Sequence, residues 1–411
     1  MIITTLKQKL SNHLFLFICA NALYSVSTGI INILSPMILE TSTYEEFIYI
    51  FQNIMFLTSL STAGFIPTLL RYYKYDKEVY KTYYLTSIII IIFILLAFSF
   101  WINNPLLALL KIEVNSFAEN IIIFLSIIFS LLFIFNRGLY TAQSKYIAMT
   151  VNISIITIIR IVALFLIYYL HITSLSIILT LLCIIPFLGE ISIFTKNLIS
   201  TKWTNFKNYS TFLSFSFKIS IVGVIYLLTN RLFVISTKDI NDSLAASVSF
   251  AIGLVGIIHI INTSFNSYFI GKLDIRNYQD INNYIQKVKK TAPLFIFLLL
   301  ILCMSVYLFV SNYYPTHPQE SALISTITIF QSALISYLGL ITLLSKTFNK
   351  LNLQLLLNCL CFISVFIFTK FIAHKYINSI YSYCIINIIL LTFECILAYT
   401  LLKYFHKKSH F

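Results

Sequence analysis

The chain is 411 residues long, 59% hydrophobic and only 10% charged. A soluble domain carries roughly 25% charged residues, so this composition cannot clothe a water-facing surface, and a mean hydropathy of +0.90 excludes a soluble enzyme on a single anchor, a disordered chain and a disulfide scaffold. What remains to be explained is the net charge of +14, from 28 Lys and Arg against 14 Asp and Glu.

A membrane helix needs about 20 mainly apolar residues. Cutting the chain where charge, Pro, Asn and polar clusters interrupt its apolar runs predicts twelve spans, over 12–37, 45–70, 82–102, 117–137, 147–170, 174–195, 212–235, 244–270, 292–311, 321–344, 353–373 and 379–402. The first follows Lys7 and Lys9, and Ala20-Asn21-Ala22 has the small-x-small form of a signal-peptidase site. Its core, Leu14 to Ile18, is short for a leader and apolar character resumes through Leu39, so we read it as an uncleaved span. All seven cysteines lie within apolar runs and act as small apolar side chains; Cys359-Leu-Cys361 lacks zinc spacing and a nearby His. The longest links, 196–211 and 271–291, are too short to form a domain.

Positively charged links stay on the cytoplasmic side. With both termini inside, inward links and tails hold 21 of the 28 cations, whereas the outward set is Lys111, Lys238, Lys370 and Lys375. Glu40, Glu45, Glu46, Glu113, Glu119, Asp239, Asp242 and Glu320 fall outside. An odd number of spans breaks this alternation. Each half opens with two long spans joined by an acidic outer link, Glu40 to Glu46 or Asp239 to Asp242, followed by a basic inner link, Arg71 to Lys81 or Lys272 to Lys290. The expectation is therefore an all-α polytopic protein of about 12 transmembrane helices in two six-helix lobes, residues 1–200 and 201–411, around a central cavity suited to alternating access.

In a chain with so few charges, each polar residue inside a span is a functional candidate. Asn21, Ser25, Thr28, Asn32 and Ser35 form one stripe along span 1, and His259, Asn262, Thr263, Asn266 and Ser267 repeat it in span 8. Such stripes line a cavity or join helices. Span 7 holds Lys218 and Arg231 toward opposite ends, from which either could snorkel to water. Arg160, in the middle of span 5, cannot easily reach either surface, and exposing it to lipid costs at least ~2.5 kcal/mol. Asn152 lies on nearly the same face. The two plausible intramembrane carboxylates, Glu190 and Glu394, could pair with Arg160, Lys218 or Arg231, or carry a coupled proton. His259 either titrates near neutral pH or holds a fixed hydrogen bond.

An excess of cations inside a cavity favours an anionic guest, and Arg suits phosphate oxygens. No Gly-rich phosphate loop, paired carboxylates or His cluster on a sizeable outer loop is present, which counts against nucleotide hydrolysis and against a membrane glycosyltransferase.

Tyr44-Glu45-Glu46-Phe47, leading through Gln52 to Thr62-Ala63-Gly64-Phe65-Ile66-Pro67-Thr68-Leu69-Leu70-Arg71, resembles the second span of polysaccharide exporters. Arg137-Gly138-Leu139-Tyr140-Thr141-Ala142-Gln143-Ser144-Lys145-Tyr146, followed by Asn152 and Arg160, looks like their span 4 to 5 connection. The family these stretches resemble is that of the O-antigen or Wzx-type lipid-linked oligosaccharide flippases, in the multidrug/oligosaccharidyl-lipid/polysaccharide exporter superfamily. The resemblance implies a multi-pass protein of the bacterial cytoplasmic membrane, with both termini inside, that flips an undecaprenyl-pyrophosphate-linked repeat unit of O-antigen or capsule. It implies Arg160, Lys218 and Arg231 for anion contact, Arg71 at the inner mouth, and Asn21, Asn32, Asn152, His259, Asn262 and Asn266 for the glycan. Its partners would be the lipid-linked oligosaccharide, membrane lipids, a polysaccharide polymerase and a chain-length regulator, with no cofactor, metal or nucleic acid. A polysaccharide polymerase and a drug or cation antiporter of the same superfamily are the rival readings.

Overall fold

A computed structural model describes residues 20, 22–24, 26–73, 76–99, 105–112, 116–199, 209–238, 242–255, 278–315, 317–347, 351–373 and 379–408. Among these residues every regular element is helical. Lipid offers no partner for backbone N–H and C=O groups, and a helix satisfies them within one segment. The first of two compact units, Met1–Leu227, contains α1 (Ala22–Ile38), α2 (Thr41–Thr62), α3 (Phe65–Tyr72), α4 (Val79–Ser99), the short α5 (Pro105–Leu109), α6 (Phe117–Ala142), α7 (Tyr146–Tyr169) and α8 (Leu175–Ile199). It also takes the first part of α9 (Tyr209–Thr237). The second unit, Leu228–Phe411, takes the rest of α9 with α10 (Asp242–Val255), α11 (Tyr278–Tyr313), α12 (Pro318–Thr347), α13 (Leu351–Ile372) and α14 (Ser379–Lys408).

Eight of these helices, α6 to α9 and α11 to α14, are long and apolar enough to cross a membrane. The pair α2 and α3 makes a ninth span with a 41° bend, and α1, α4 and α10 carry shorter apolar stretches. The described part of each of the twelve predicted runs thus falls on its own helix or bent pair, and the chain is an all-α multi-pass membrane protein.

Prolines set the interruptions. A proline has no N–H to give the carbonyl four residues back, and its ring crowds that carbonyl. Pro67 therefore breaks the helix at Ala63, and α3 restarts from Gly64, whose carbonyl accepts the Thr68 hydroxyl at 2.7 Å. The small residues Thr62, Ala63 and Gly64 thus mark a bend within span 2, with two more turns of helix beyond. In α8, Pro186 removes the donor that an α-helix would offer the Leu182 carbonyl. The chain there passes through a π turn, Thr180–Ile184, and a 3-10 turn, Ile185–Phe187, before regular helix resumes at Leu188.

The bend sits against α9 at backbone distance. A Cβ on Gly64 would lie 2.0 Å from Ser220 Oγ and 2.2 Å from the Ser216 carbonyl oxygen, and one on Gly223 would lie 3.0 Å from Ala63 Cβ. Small residues at Ser216, Ser220 and Gly223 let the two backbones approach, the usual basis of close helix contact in lipid. Two turns on, the Arg71 guanidinium carbon lies 4.3 Å over the Phe215 ring, and Tyr72 packs its ring against Phe212 and Phe215. A similar approach joins α4 to α6, where a Cβ on Gly138 would lie 2.7 Å from Tyr83 Oη, itself donating to the Phe135 carbonyl at 3.1 Å.

In the second unit, α11 is 36 residues long, about 54 Å at 1.5 Å per residue, which exceeds the ~30 Å hydrocarbon layer. Its first turns are held by a cluster of Ile281, Tyr284, Ile285 and Val288 with Ile341 and Leu344 of α12 and Leu397, Ala398 and Leu401 of α14. Pro293 leaves the Lys289 carbonyl without its helical donor. Just before it, the Val288 carbonyl accepts hydroxyls from both Thr291 and Tyr337.

Gly64→Ala is expected to destabilise the first unit by about 1–3 kcal/mol through overpacking against Ser216 and Ser220. Adding Ser220→Gly restores only part of the loss, because the Ser216 carbonyl stays in the way. Thermal unfolding of the purified variants in detergent checks both steps.

Candidate functional site

Arg160 is buried to 2% exposure on α7. Its Nη1 donates to Ser27 Oγ of α1 at 3.0 Å, its Nε reaches the Leu182 carbonyl of α8 at 3.4 Å, and its guanidinium carbon lies 4.9 Å over the Phe187 ring. The local sequence explains the second contact: Leu182 is the residue whose carbonyl Pro186 deprives of a helical donor. The positive charge is thus wrapped by a hydroxyl, a carbonyl and an aromatic face, all neutral.

Eight residues earlier on α7, Asn152 donates its Nδ2 to Glu190 Oε1 at 2.6 Å. Asn136 of α6 donates its Nδ2 to Glu190 Oε2 at 2.7 Å and to the Glu190 carbonyl at 3.0 Å. Glu190 is 1% exposed. The sequence allows Glu190 a cation partner or a coupled proton; its carboxylate oxygens receive two amides. The reason is register. Helices α7 and α8 run antiparallel, so Arg160 lies opposite Leu182 while Asn152 lies opposite Glu190. Eight residues of helix, about 12 Å, separate the two rungs.

Asn32 is fully buried in the α1–α2 contact, where its Nδ2 donates to the Thr28 carbonyl at 3.0 Å and its Oδ1 accepts Gln52 Nε2 at 3.0 Å. This is the helix-joining use of the span 1 stripe. Arg71 lies at the exposed end of α3 on Phe215, and Lys218 is exposed on α9 beside Phe217. Arg231, in the second unit, is buried, and Glu394 is half-buried on α14. Asn21, His259, Asn262 and Asn266 lie outside the described residues. Arg137, read from the sequence as part of a basic link, lies within α6 with its guanidinium carbon 4.6 Å over the Tyr24 ring, because the helix runs on to Ala142. Lys81, assigned likewise, is buried near the start of α4 and pairs with Glu78 at 3.1 Å.

Sequence reasoning missed Asn136, Ser27 and Phe187. Asn136 immediately precedes Arg137, where the predicted span was cut, and so was counted as a span end. Its usable signal is position: an amide nearly two turns before the true helix end, in a run of Phe and Ile. Ser27 lies one residue off the polar stripe, and Phe187 follows the proline that turns it toward Arg160.

The arrangement can hold an anion near Arg160 only by displacing neutral ligands, and it keeps one buried cation and one buried carboxylate apart within a single unit. Among the described residues no group of three or more His, Cys, Asp or Glu side chains could hold a metal ion.

No family model matches the chain, and no curated protein matches it. Solved structures do. An outward-facing multidrug resistance transporter of the MATE family, in the MOP superfamily, matches with a TM-score of 0.61 at 11% identity, over 97% of this chain and 96% of that one. A mutant of the Vibrio cholerae MATE transporter VcmN matches with a TM-score of 0.62 at 15% identity, over 98% of each chain. A MOP superfamily transporter from Pyrococcus furiosus, described by the reverse polarity of its binding pocket, matches with a TM-score of 0.59 at 11% identity, over 97% and 94%. At these identities the likeness is one of fold, and it runs from end to end.

Replacing Arg160 with Met leaves Ser27 Oγ and the Leu182 carbonyl short of a partner, at an expected cost of about 1–3 kcal/mol. Pro186→Ala returns an N–H to Leu182, so R160M is expected to cost roughly 1 kcal/mol less in the P186A background. A double-mutant cycle on thermal stability checks this; strictly additive losses would show that the proline and the arginine do not share that carbonyl.

Proposed function

We propose that this chain is a flippase that carries an undecaprenyl-pyrophosphate-linked oligosaccharide, an O-antigen or capsule repeat unit, across the bacterial cytoplasmic membrane by alternating access. Support for transport comes from the whole-chain fold likeness to transporters, which include outward-facing and inward-facing forms of a multidrug resistance MATE transporter. Support for an anionic, lipid-linked cargo comes from the charge balance: Arg160, Lys218 and Arg231 stand against Glu190 and Glu394, and Glu190 is occupied by amides. The observation that carries the reading is Arg160, a buried guanidinium with neutral partners, which a phosphate oxygen could take over at the expense of a hydroxyl and a carbonyl. The Pyrococcus furiosus transporter, whose reversed pocket polarity is described as suggesting a different function, supports the idea that this fold serves more than one function.

In this reading the pyrophosphate and sugars enter between cytoplasmic helix ends while the polyprenyl tail stays in lipid. Arg71 meets the phosphate at the inner mouth, and Asn21, His259, Asn262 and Asn266 serve the glycan, Asn32 and Asn152 being taken up by Gln52 and Glu190. Both termini are cytoplasmic. A drug or cation antiporter is the second reading, favoured by the multidrug transporters among the structural neighbours.

Leaflet-resolved detection of the lipid-linked unit in a deletion strain separates the readings. A flippase predicts the unit trapped in the inner leaflet, a polymerase predicts single repeat units at the surface, and an antiporter predicts unchanged glycan with altered drug sensitivity. Arg160→Ala, placed in the P186A background to keep the Leu182 carbonyl served, is expected to abolish surface glycan while the protein remains inserted. Normal glycan in that variant removes Arg160 from the transport step.

A further inference from the structure

We propose that Glu190 is a proton-binding site, and that the two asparagines around it serve the carboxyl group in both of its protonation states. The site lies within the first unit, at the meeting of α6, α7 and α8, and stands whatever cargo the protein carries. Its carboxylate is buried, with Oε2 accepting Asn136 Nδ2 at 2.7 Å and Oε1 accepting Asn152 Nδ2 at 2.6 Å. The second hydrogen of Asn136 Nδ2 goes to the Glu190 carbonyl at 3.0 Å. The other end of the same amide, Asn136 Oδ1, is buried without a hydrogen-bond partner.

That unserved acceptor is the informative atom. A Lys or Arg beside Glu190 would offer donors alone and fix the carboxylate as an anion. An amide carries a donor and an acceptor on one planar head. When a proton from water adds to Oε2, an O–H bond forms, nothing is oxidised or reduced, and the charge of the site goes from −1 to zero. A half-turn of the Asn136 amide then sets Oδ1 where Nδ2 was; the two Nδ2 bonds, to Oε2 and to the Glu190 carbonyl, break, and the new Glu190 O–H donates to Oδ1. The acceptor that has no partner around the anion acquires one around the acid. Loss of the proton reverses each step.

The surrounding charges leave this exchange open. The titratable neighbours on α6 and α4, Tyr140 and Tyr84, are phenols. Arg137 turns to Tyr24. On α7, Arg160 is eight residues away, and Lys145 is exposed at the helix start. On α8 itself, Lys196 is exposed. The charge-assisted bonds that tie α6 and α7 to α8 become neutral ones on protonation, which loosens this end of the three-helix junction.

Infrared difference spectroscopy of the full chain in lipid nanodiscs, titrated in pH, tests the proposal. The expected result is a protonated-carboxyl C=O band that grows on acidification and is missing in E190Q. In N152L, which removes one donor to the anion and keeps Glu190, the midpoint is expected to move upward by about one pH unit. A band that persists in E190Q, no titrating band, or an unmoved midpoint in N152L overturns the proposal. If E190Q does not fold, the N152L midpoint carries the test. A band that sodium chloride abolishes at fixed pH also overturns it, in favour of a sodium site.

Discussion

The antiparallel register of α7 against α8 is the constraint from which the rest of the first unit follows. It sets Arg160 opposite Leu182 and Asn152 opposite Glu190, and so keeps the buried cation and the buried carboxylate about 12 Å apart. An ion pair between them would be the cheaper way to bury both, since an uncompensated charge in a low-dielectric interior costs several kcal/mol. The fold instead wraps each in neutral groups. Two charges held this way stay available to outside partners, an anion for one and a proton for the other, in a manner that a closed salt bridge would forbid.

Proline supplies the second organising rule. Pro67 bends α2 into α3 at Ala63, Pro186 forces α8 through π and 3-10 turns, and Pro293 leaves Lys289 short within α11. In α8 the freed carbonyl is met by Arg160, so a break in one helix becomes the anchor for a charge on its neighbour. In α11 the hydroxyls of Tyr337 and Thr291 converge on the adjacent carbonyl of Val288. Irregular backbone is tolerated at membrane depth where other protein groups satisfy it.

The helices were legible in the sequence because the membrane requires long apolar runs, and the described part of every predicted run falls on a helix. Their ends were less so. Cutting at the first cation ended span 4 at Arg137, whereas α6 continues to Ala142, because a guanidinium lying on Tyr24 need not leave the helix to find a favourable setting. Arg160 announced itself by standing alone among Ile and Val. Its partners did not, since a serine and an unremarkable leucine carbonyl gain meaning only from register and from a proline four residues on. Glu190 was visible as a rare carboxylate, but its amide neighbours come from two other helices, and no spacing within one helix reveals them. For Asn32, periodicity left a cavity lining and a helix contact equally open; the bond to Gln52 assigns it to the contact.

The close approaches at Gly64, Gly138 and Gly223 bear on how this chain has changed over time. Its wealth of Ile, Asn, Lys, Phe and Tyr is what AT-rich coding produces, and such pressure works steadily against glycine codons; nine glycines remain among 411 residues. Under that pressure a surviving glycine is already the result of a long substitution experiment. Gly64 and Gly138 persist where a single added carbon would meet a backbone carbonyl or a tyrosine hydroxyl, whereas Gly189 has nothing within 4 Å of its would-be Cβ. In diverging relatives with the same nucleotide bias, Gly64 and Gly138 should therefore outlast Gly189, and the α2–α9 and α4–α6 crossings should be the slowest parts of the fold to drift.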